Sequence, residues 1–159
     1  MAAAPAAQDL RASPAWRSID CISDLHLQPA GPATFAAWRR YMEATPADAV
    51  FILGDLFEAW VGDDAAQQPG FEADCAGVLQ AAARRIPVYF LAGNRDFLVG
   101  PGLAQATGLK LLHDPTVLAF GAQRWLLSHG DALCVDDHAY QAFRAQVRAA
   151  GWQQAFLAQ

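Results

Sequence analysis

An α/β fold with a mainly parallel sheet is predicted by three observations along these 159 residues. Short apolar runs of strand length alternate with helix-patterned segments, which is the order of βαβ units. The run ADAVFIL at residues 47–53 is almost continuously apolar, as in a strand covered on both faces. Short polar motifs follow four of the apolar runs, at the strand ends where open α/β sheets place their chemistry.

Taken in order, residues 1–16 are rich in Ala and Pro and read as a disordered tail. They lack the basic start and the unbroken apolar stretch of a signal peptide. Residues 17–23 alternate and then turn apolar, as a first strand does. Over residues 32–44, Phe35, Trp38, Tyr41 and Met42 recur at helical spacing, and Pro32 suits the first turn. Residues 71–85 are helical in pattern, with Pro87 ending the run. Residues 88–92 form the third strand, and residues 100–107 a short helix closed by Gly108. Three further short strands are expected over 109–112, 116–120 and 124–128, the last two joined as a hairpin by Gly121-Ala122-Gln123. After Asp136 the period becomes helical: Tyr140, Phe143 and Val147, then Trp152, Phe156 and Leu157. The expected division is a tail over 1–16, an α/β core over 17–135 and a helical segment over 136–159.

Apolar residues make up 54% of the chain and charged residues 17%, so a packed core is expected rather than disorder. The net charge of −5 argues against a general nucleic-acid surface, whose mark is a basic patch. It leaves room for a phosphate substrate, because bound cations reverse the local field. Cys21, Cys75 and Cys134 are odd in number and lack CxxC spacing, so they read as reduced thiols. No apolar run reaches the ~18–20 residues of a membrane span.

The polar motifs are Asp24-Leu25-His26, Gly54-Asp55, Gly93-Asn94-Arg95-Asp96 and His129-Gly130-Asp131. Asp24 and His26 are two apart, a spacing that puts both side chains on one face of a strand end. Gly54 lets the backbone turn before Asp55, whose two oxygens could serve two cations. Asn94 offers a neutral amide oxygen and His129 a ring nitrogen. A pair of divalent ions ~3.5–4 Å apart suits phosphoryl chemistry, and Arg95 would bind a phosphate oxygen as a planar cation. Each residue taken singly has a plainer reading. Asp24 could cap a turn, Gly54-Asp55 could be an ordinary turn, Asn94 could hold a left-handed turn, and His26 and His129 could be satisfied histidines. Their joint order at successive strand ends is what favours a metal centre. His113 reads as a turn residue, His138 as an exposed helix start, and Asp63 and Asp64 as a loop close enough to the site for an indirect role.

In these motifs the chain resembles the calcineurin-like metallophosphoesterases, whose pattern runs D-x-H, GD, GN-[HR]-[DE], H and GH-x-H. The longer stretches GDLFEAWVGDD at 54–64, GNRDFLVG at 93–100 and HGDALCVDDHAYQAFRAQVR at 129–148 are similar to the UDP-2,3-diacylglucosamine diphosphatases of lipid A biosynthesis. The resemblance covers residues 18–159. It implies a calcineurin-like metallophosphoesterase sandwich, incomplete at its C-terminal side, and the start of a helical cap. It also implies two Mn²⁺ ions and hydrolysis of UDP-2,3-diacylglucosamine to UMP and 2,3-diacylglucosamine 1-phosphate, at the cytosolic face of a Gram-negative inner membrane. The partners it implies are a nucleotide-linked glycolipid and the membrane surface, without nucleic acid. Asp24 and His26 match ligands of one metal, Asp55 the bridging carboxylate, and Asn94 and His129 ligands of the other. Asn94, Arg95 and Asp137 match substrate contacts, and Asp55, Asn94, Arg95 and His129 form the catalytic set.

Family members are longer, and their GH-x-H pair has no counterpart in these 159 residues. The chain is therefore expected to be a C-terminally truncated form, weakly active and marginally stable by itself. Two rival readings remain: another phosphodiesterase or nuclease of the same fold, and an inactive fragment.

Overall fold

The computed structural model describes residues 7–159 and forms two sheets with helices on one side. The four-stranded sheet runs β2 (Ile19–Ile22), β3 (Ala49–Leu53), β4 (Val88–Leu91), β5 (Lys110–Leu112), all parallel, with Val50 opposite Val88 and Ile22 opposite Ile52. The three-stranded sheet is ordered β1 (Gln8–Arg11), β6 (Thr116–Phe120), β7 (Gln123–Leu127). In it β1 runs parallel to β6, and β6 and β7 form an antiparallel hairpin.

The strand at Gln8–Arg11 corrects the reading of residues 1–16 as a disordered tail. Gln8 N–H donates to the Pro115 carbonyl at 3.1 Å and Ala12 N–H to that of Ala119 at 2.9 Å. Further on, Trp16 meets Phe51 and Tyr89 edge-on at 6.5 and 6.2 Å between ring centres. A four-residue strand of sequence QDLR has no apolar period of its own, so only its partner over a hundred residues away reveals it. Residues 1–6 of the expected tail lie outside the described residues.

The alternation of β3 and β4 divides the interior in two. Phe51 and Tyr89 point toward the smaller sheet, stack at 4.6 Å, and pack with Leu118 and Leu127. Val50, Ile52, Val88 and Phe90 point the other way, into a layer of three helices. Helix α1 (Pro32–Ala44) starts on Pro32, whose fixed φ suits a first helical position, and buries Trp38 and Met42. Helix α2 (Phe71–Ala83) buries Cys75, Leu79 and Ala82. The Arg85 guanidinium after it donates to the Met42 and Thr45 carbonyls at 2.8 and 2.9 Å, satisfying open acceptors at the end of α1. Helix α3 (Pro101–Thr107) ends on Gly108 at φ +85°, a left-handed cap that favours glycine.

The last segment is two helices, α4 (His138–Val147) and α5 (Ala150–Leu157). They sit on the core through Val147 and Trp152, whose ring lies 6.3 Å from that of Phe97. Phe143, Phe156 and Leu157 stay substantially exposed, as do Trp125 and Leu126 on β7. Cys21, Cys75 and Cys134 are free thiols, and burial pushes Cys75 up to about 12. Among the described residues no helix is long and apolar enough to cross a membrane.

Phe51 is fully buried between the sheets, so Phe51→Ala is expected to cost about 3–5 kcal/mol of unfolding free energy in urea titration, the usual price of a large core truncation.

Candidate metal centre

The ends of β2, β3, β4 and β7 converge on one point, and each delivers one of the polar motifs. Beyond β2 the chain runs beside the segment beyond β3: Asp24 N–H donates to the Gly54 carbonyl at 3.1 Å, and His26 N–H to that of Asp55 at 3.0 Å. Asp24, His26 and Asp55 all have left-handed backbones, with φ of 57°, 48° and 52°. That region is sparsely populated for residues with a Cβ, and such conformations persist where surrounding bonds enforce them.

For Asp55 the enforcing group is Asp96, fully buried at the end of the β4 loop. Its carboxylate accepts from the backbone N–H of Leu56 and Gly93, both at 2.8 Å, and more weakly from Asp55 and Phe57 at 3.3 and 3.4 Å. Burial raises its pKa, and the backbone donors oppose that rise. All four partners are donors, so the pocket is built for the anion. Glycine is required where the loops touch: a Cβ on Gly93 would collide with the Asp55 carboxylate and backbone nitrogen, and one on Gly54 would lie 2.5 Å from His129 Nδ1.

Asp55 is almost completely buried and faces a histidine on either side. Its Oδ2 lies 3.9 Å from His26 Nε2 and its Oδ1 3.7 Å from His129 Nε2. Donor atoms of Asp24, His26 and Asp55 all lie within 4.8 Å of one another. On the other side, His129 Nδ1 stands 3.0 Å from the Leu53 carbonyl, which can only accept, so Nδ1 carries the proton. In the neutral ring Nε2 is then a bare lone pair, yet it faces Asn94 Oδ1 at 2.9 Å. A ring nitrogen and an amide oxygen so placed can both turn a lone pair toward one cation. Two donors bonded to one ion at ~2.1 Å and at right angles are about 3 Å apart, so the chemistry of this pair fits a divalent cation.

Arg95 N–H donates to Asp55 Oδ1 at 2.9 Å, while its half-exposed guanidinium reaches Glu58 Oε1 at 3.2 Å. The other Glu58 oxygen approaches His26 Nδ1 at 3.0 Å without the alignment of a hydrogen bond. Asp137 lies apart from this cluster. It caps α4, its carboxylate accepting from Tyr140 N–H at 2.9 Å, and lines an open cleft with Asn94, His129, Gly130, Cys134 and Tyr140. The structure thus gathers Asp24, His26, Asp55, Asn94 and His129, with Arg95 at the rim and Asp137 across a cleft. Asp63 is a loop anchor, accepting from Trp60 Nε1 and Gly100 N–H at 3.1 and 3.0 Å. His138 is exposed at the first turn of α4, as its position in the sequence predicts.

Glu58 and Asp131 were given no role by sequence reasoning. Glu58 lies inside the GDLFEAWVGDD stretch and Asp131 inside the His129-Gly130-Asp131 motif, so membership of a motif was the one available signal. Asp131 is buried, and its Oδ2 accepts from Tyr140 Oη at 2.5 Å and Arg144 Nε at 2.8 Å. Burial pushes the Asp131 carboxyl up, but the bonds from Arg144 and Tyr140 and the charges of Arg144 and Arg148 hold it below the ordinary value.

The profile of the calcineurin-like phosphoesterases matches residues 17–159, and this chain belongs to that family. It is 52% identical over 142 residues to the UDP-2,3-diacylglucosamine hydrolase of Xanthomonas axonopodis pv. citri, a match spanning 87% of this chain and 56% of that protein. It is 50% identical over 148 residues to the protein of the same name from Chromobacterium violaceum, spanning 89% and 60%. The chain therefore spans little more than half the length of the curated relatives it matches. Among solved structures it is similar to the Pseudomonas putida nuclease MPE at TM-score 0.45 and 22% identity, over 60% of this chain and 47% of that one. Membership of the family implies divalent metal ions, and the Asp24, His26, Asp55 group is a possible place for one.

Two outcomes test this geometry. Gly93→Ala is expected to displace Asp55 and weaken Mn²⁺ binding, read by isothermal titration, because no rotamer removes a contact between a Cβ and the backbone. Asp131→Asn tests the electrostatics. A depressed carboxyl contributes stability above its unfolded pKa of about 3.9 and loses it as pH falls through the lower folded value. The stability gap between the native chain and Asp131→Asn should be widest near neutrality and close below about pH 4 in denaturant titrations.

Proposed function

We propose that the whole protein of which these residues form the matched part is a two-metal pyrophosphohydrolase acting on UDP-2,3-diacylglucosamine. The observation that supports it best is Asp55, one carboxylate with a histidine facing each oxygen at 3.7 and 3.9 Å. Asp24, His26 and Asp55 would hold one ion, and Asp55, Asn94 and His129 the other. The relatives' name supplies the substrate, which would be cleaved to UMP and 2,3-diacylglucosamine 1-phosphate. Bound Mn²⁺ would polarise the phosphoryl oxygens and make a bound water acidic enough to attack at neutral pH.

The chain's own residues orient and neutralise. Asp55 is held by Arg95 N–H, so its oxygens keep their direction toward the two histidines. Arg95 Nη1 is shared with Glu58, leaving other guanidinium donors for a phosphate oxygen. Asp137 and Tyr140 line the far wall of the cleft, where a sugar or nucleotide hydroxyl would find an acceptor and a phenol. Helices α4 and α5 are read as the beginning of the helical cap over the α/β core, and the exposed Phe143, Phe156 and Leu157 would meet acyl chains. A peripheral position at the cytosolic face of the inner membrane follows from a substrate that keeps its acyl chains in the bilayer. The net charge of −5 supports the absence of a nucleic-acid partner.

The deciding assay uses a form as long as the relatives, with UDP-2,3-diacylglucosamine and a generic phosphodiester compared in the presence of Mn²⁺. UMP release from the first and little turnover of the second is expected, while the reverse preference would place the protein among phosphodiesterases. In the same assay Asp55→Asn should lower kcat by about 10²- to 10³-fold, an order set by groups that stabilise transition-state charge, with the circular dichroism spectrum unchanged. Retained turnover would show that the site is elsewhere.

A further inference from the structure

We propose that Arg148, at the C-terminal end of α4, is a positioning residue that sets the Asn94–His129 donor pair. Its Nη2 donates to the Gly93 carbonyl at 2.7 Å, and Gly93 directly precedes Asn94. The same Nη2 lies 3.6 Å from Asp131 Oδ2, and Asp131 is two residues after His129. One guanidinium therefore touches both loops that carry the facing lone pairs. Its plane is steadied by Phe97, whose ring centre lies 5.4 Å from the guanidinium carbon.

The rest of α4 completes the clamp. Tyr140 and Arg144 bond the Asp131 carboxylate, and Arg144 Nη2 lies 3.8 Å from Asp114 Oδ2. Arg148 and Asp131 are mostly shielded from solvent, where a charge-assisted hydrogen bond is stronger than at the surface. The Gly93 carbonyl and the Asp131 carboxylate are reached together only while α4 is seated. The helix that carries Asp137 at its other end is thereby tied to the position of Asn94. The role of the pair rests on the two-metal reading, whereas the positioning itself is a property of the folded chain.

The test uses ¹⁵N-labelled protein of these 159 residues and two variants. Arg148→Met keeps an apolar stem over Phe97 but cannot donate; Arg148→Lys keeps a charge and one line of donation. Without metal, Arg148→Met should raise amide exchange at Asn94 and Arg95 and shift the His129 ring signals, with α2 and β3 unchanged. Arg148→Lys should move the same signals less. With Mg²⁺ as a diamagnetic probe, Arg148→Met should need about 10- to 100-fold more ion to shift the Asn94 and His129 signals, and the native amount to shift those of His26. Native exchange and a native Mg²⁺ response in Arg148→Met would overturn the proposal, as would equal loosening of α2, β3 and the Asn94 loop. If the metal-free changes appear but Mg²⁺ shifts nothing even in the native chain, the positioning stands and the reading of Asn94 and His129 as ion donors within these residues falls.

Discussion

The buried carboxylate of Asp96 is the constraint on which the site depends. Two parallel strands end side by side at β3 and β4, and their loops would ordinarily go their own ways. Asp96 collects N–H groups from Gly93 on one loop and from Asp55, Leu56 and Phe57 on the other. An anion with four backbone donors and no solvent resists rearrangement, because each lost bond would leave a buried group unpaired. The loops are so close that two glycines are obligatory between them. Asp55 is thereby held at a left-handed φ, a region sparsely populated by residues with a Cβ.

Around that knot Asp24, His26 and Asp55 bring donor atoms within 4.8 Å of one another, and His129 stands on the other side of Asp55 with Asn94 beside it. The direction of His129 is set from behind by the Leu53 carbonyl, the usual way a backbone acceptor selects which ring nitrogen stays free for a ligand. In a chain of net charge −5, a further concentration of acceptors at a strand-end cleft is unfavourable without cations. The same arrangement explains why Arg95 stands at the rim, where Glu58 can hold it without neutralising Asp55.

The outer helices belong to the site as much as to the surface. α4 contributes little to the core beyond Val147, yet its Tyr140, Gln141 and Arg144 side chains and its capping Arg148 meet the loop after β7 and the carbonyl before Asn94. Polar contacts hold this helix where apolar packing holds α1 and α2. Phe143, Phe156 and Leu157 are left open to solvent on this side.

How far the sequence could be read depends on the range of the forces involved. The strands at 49–53 and 88–91 and helix α1 follow from local apolar pattern, and the structure places them where the pattern does. That Asp24, His26, Asp55, Asn94 and His129 lie together was legible because each follows a strand, and the parallel strands β2, β3 and β4 share one edge. The β-strand at Gln8–Arg11 was not legible, because its partner is β6 and its own residues carry no period. Asp96 was visible as a motif letter but not as a four-bond anchor, and Arg148 resembled any helical arginine. By itself, then, the sequence determined the fold class, the order of the polar motifs and the donor types, since these follow from local period and side-chain chemistry. The tertiary structure alone decided which nitrogen of His129 is free, which oxygen of Asp55 faces which histidine, and which distant residues hold them there. Those depend on contacts between segments tens of residues apart, which no local pattern encodes.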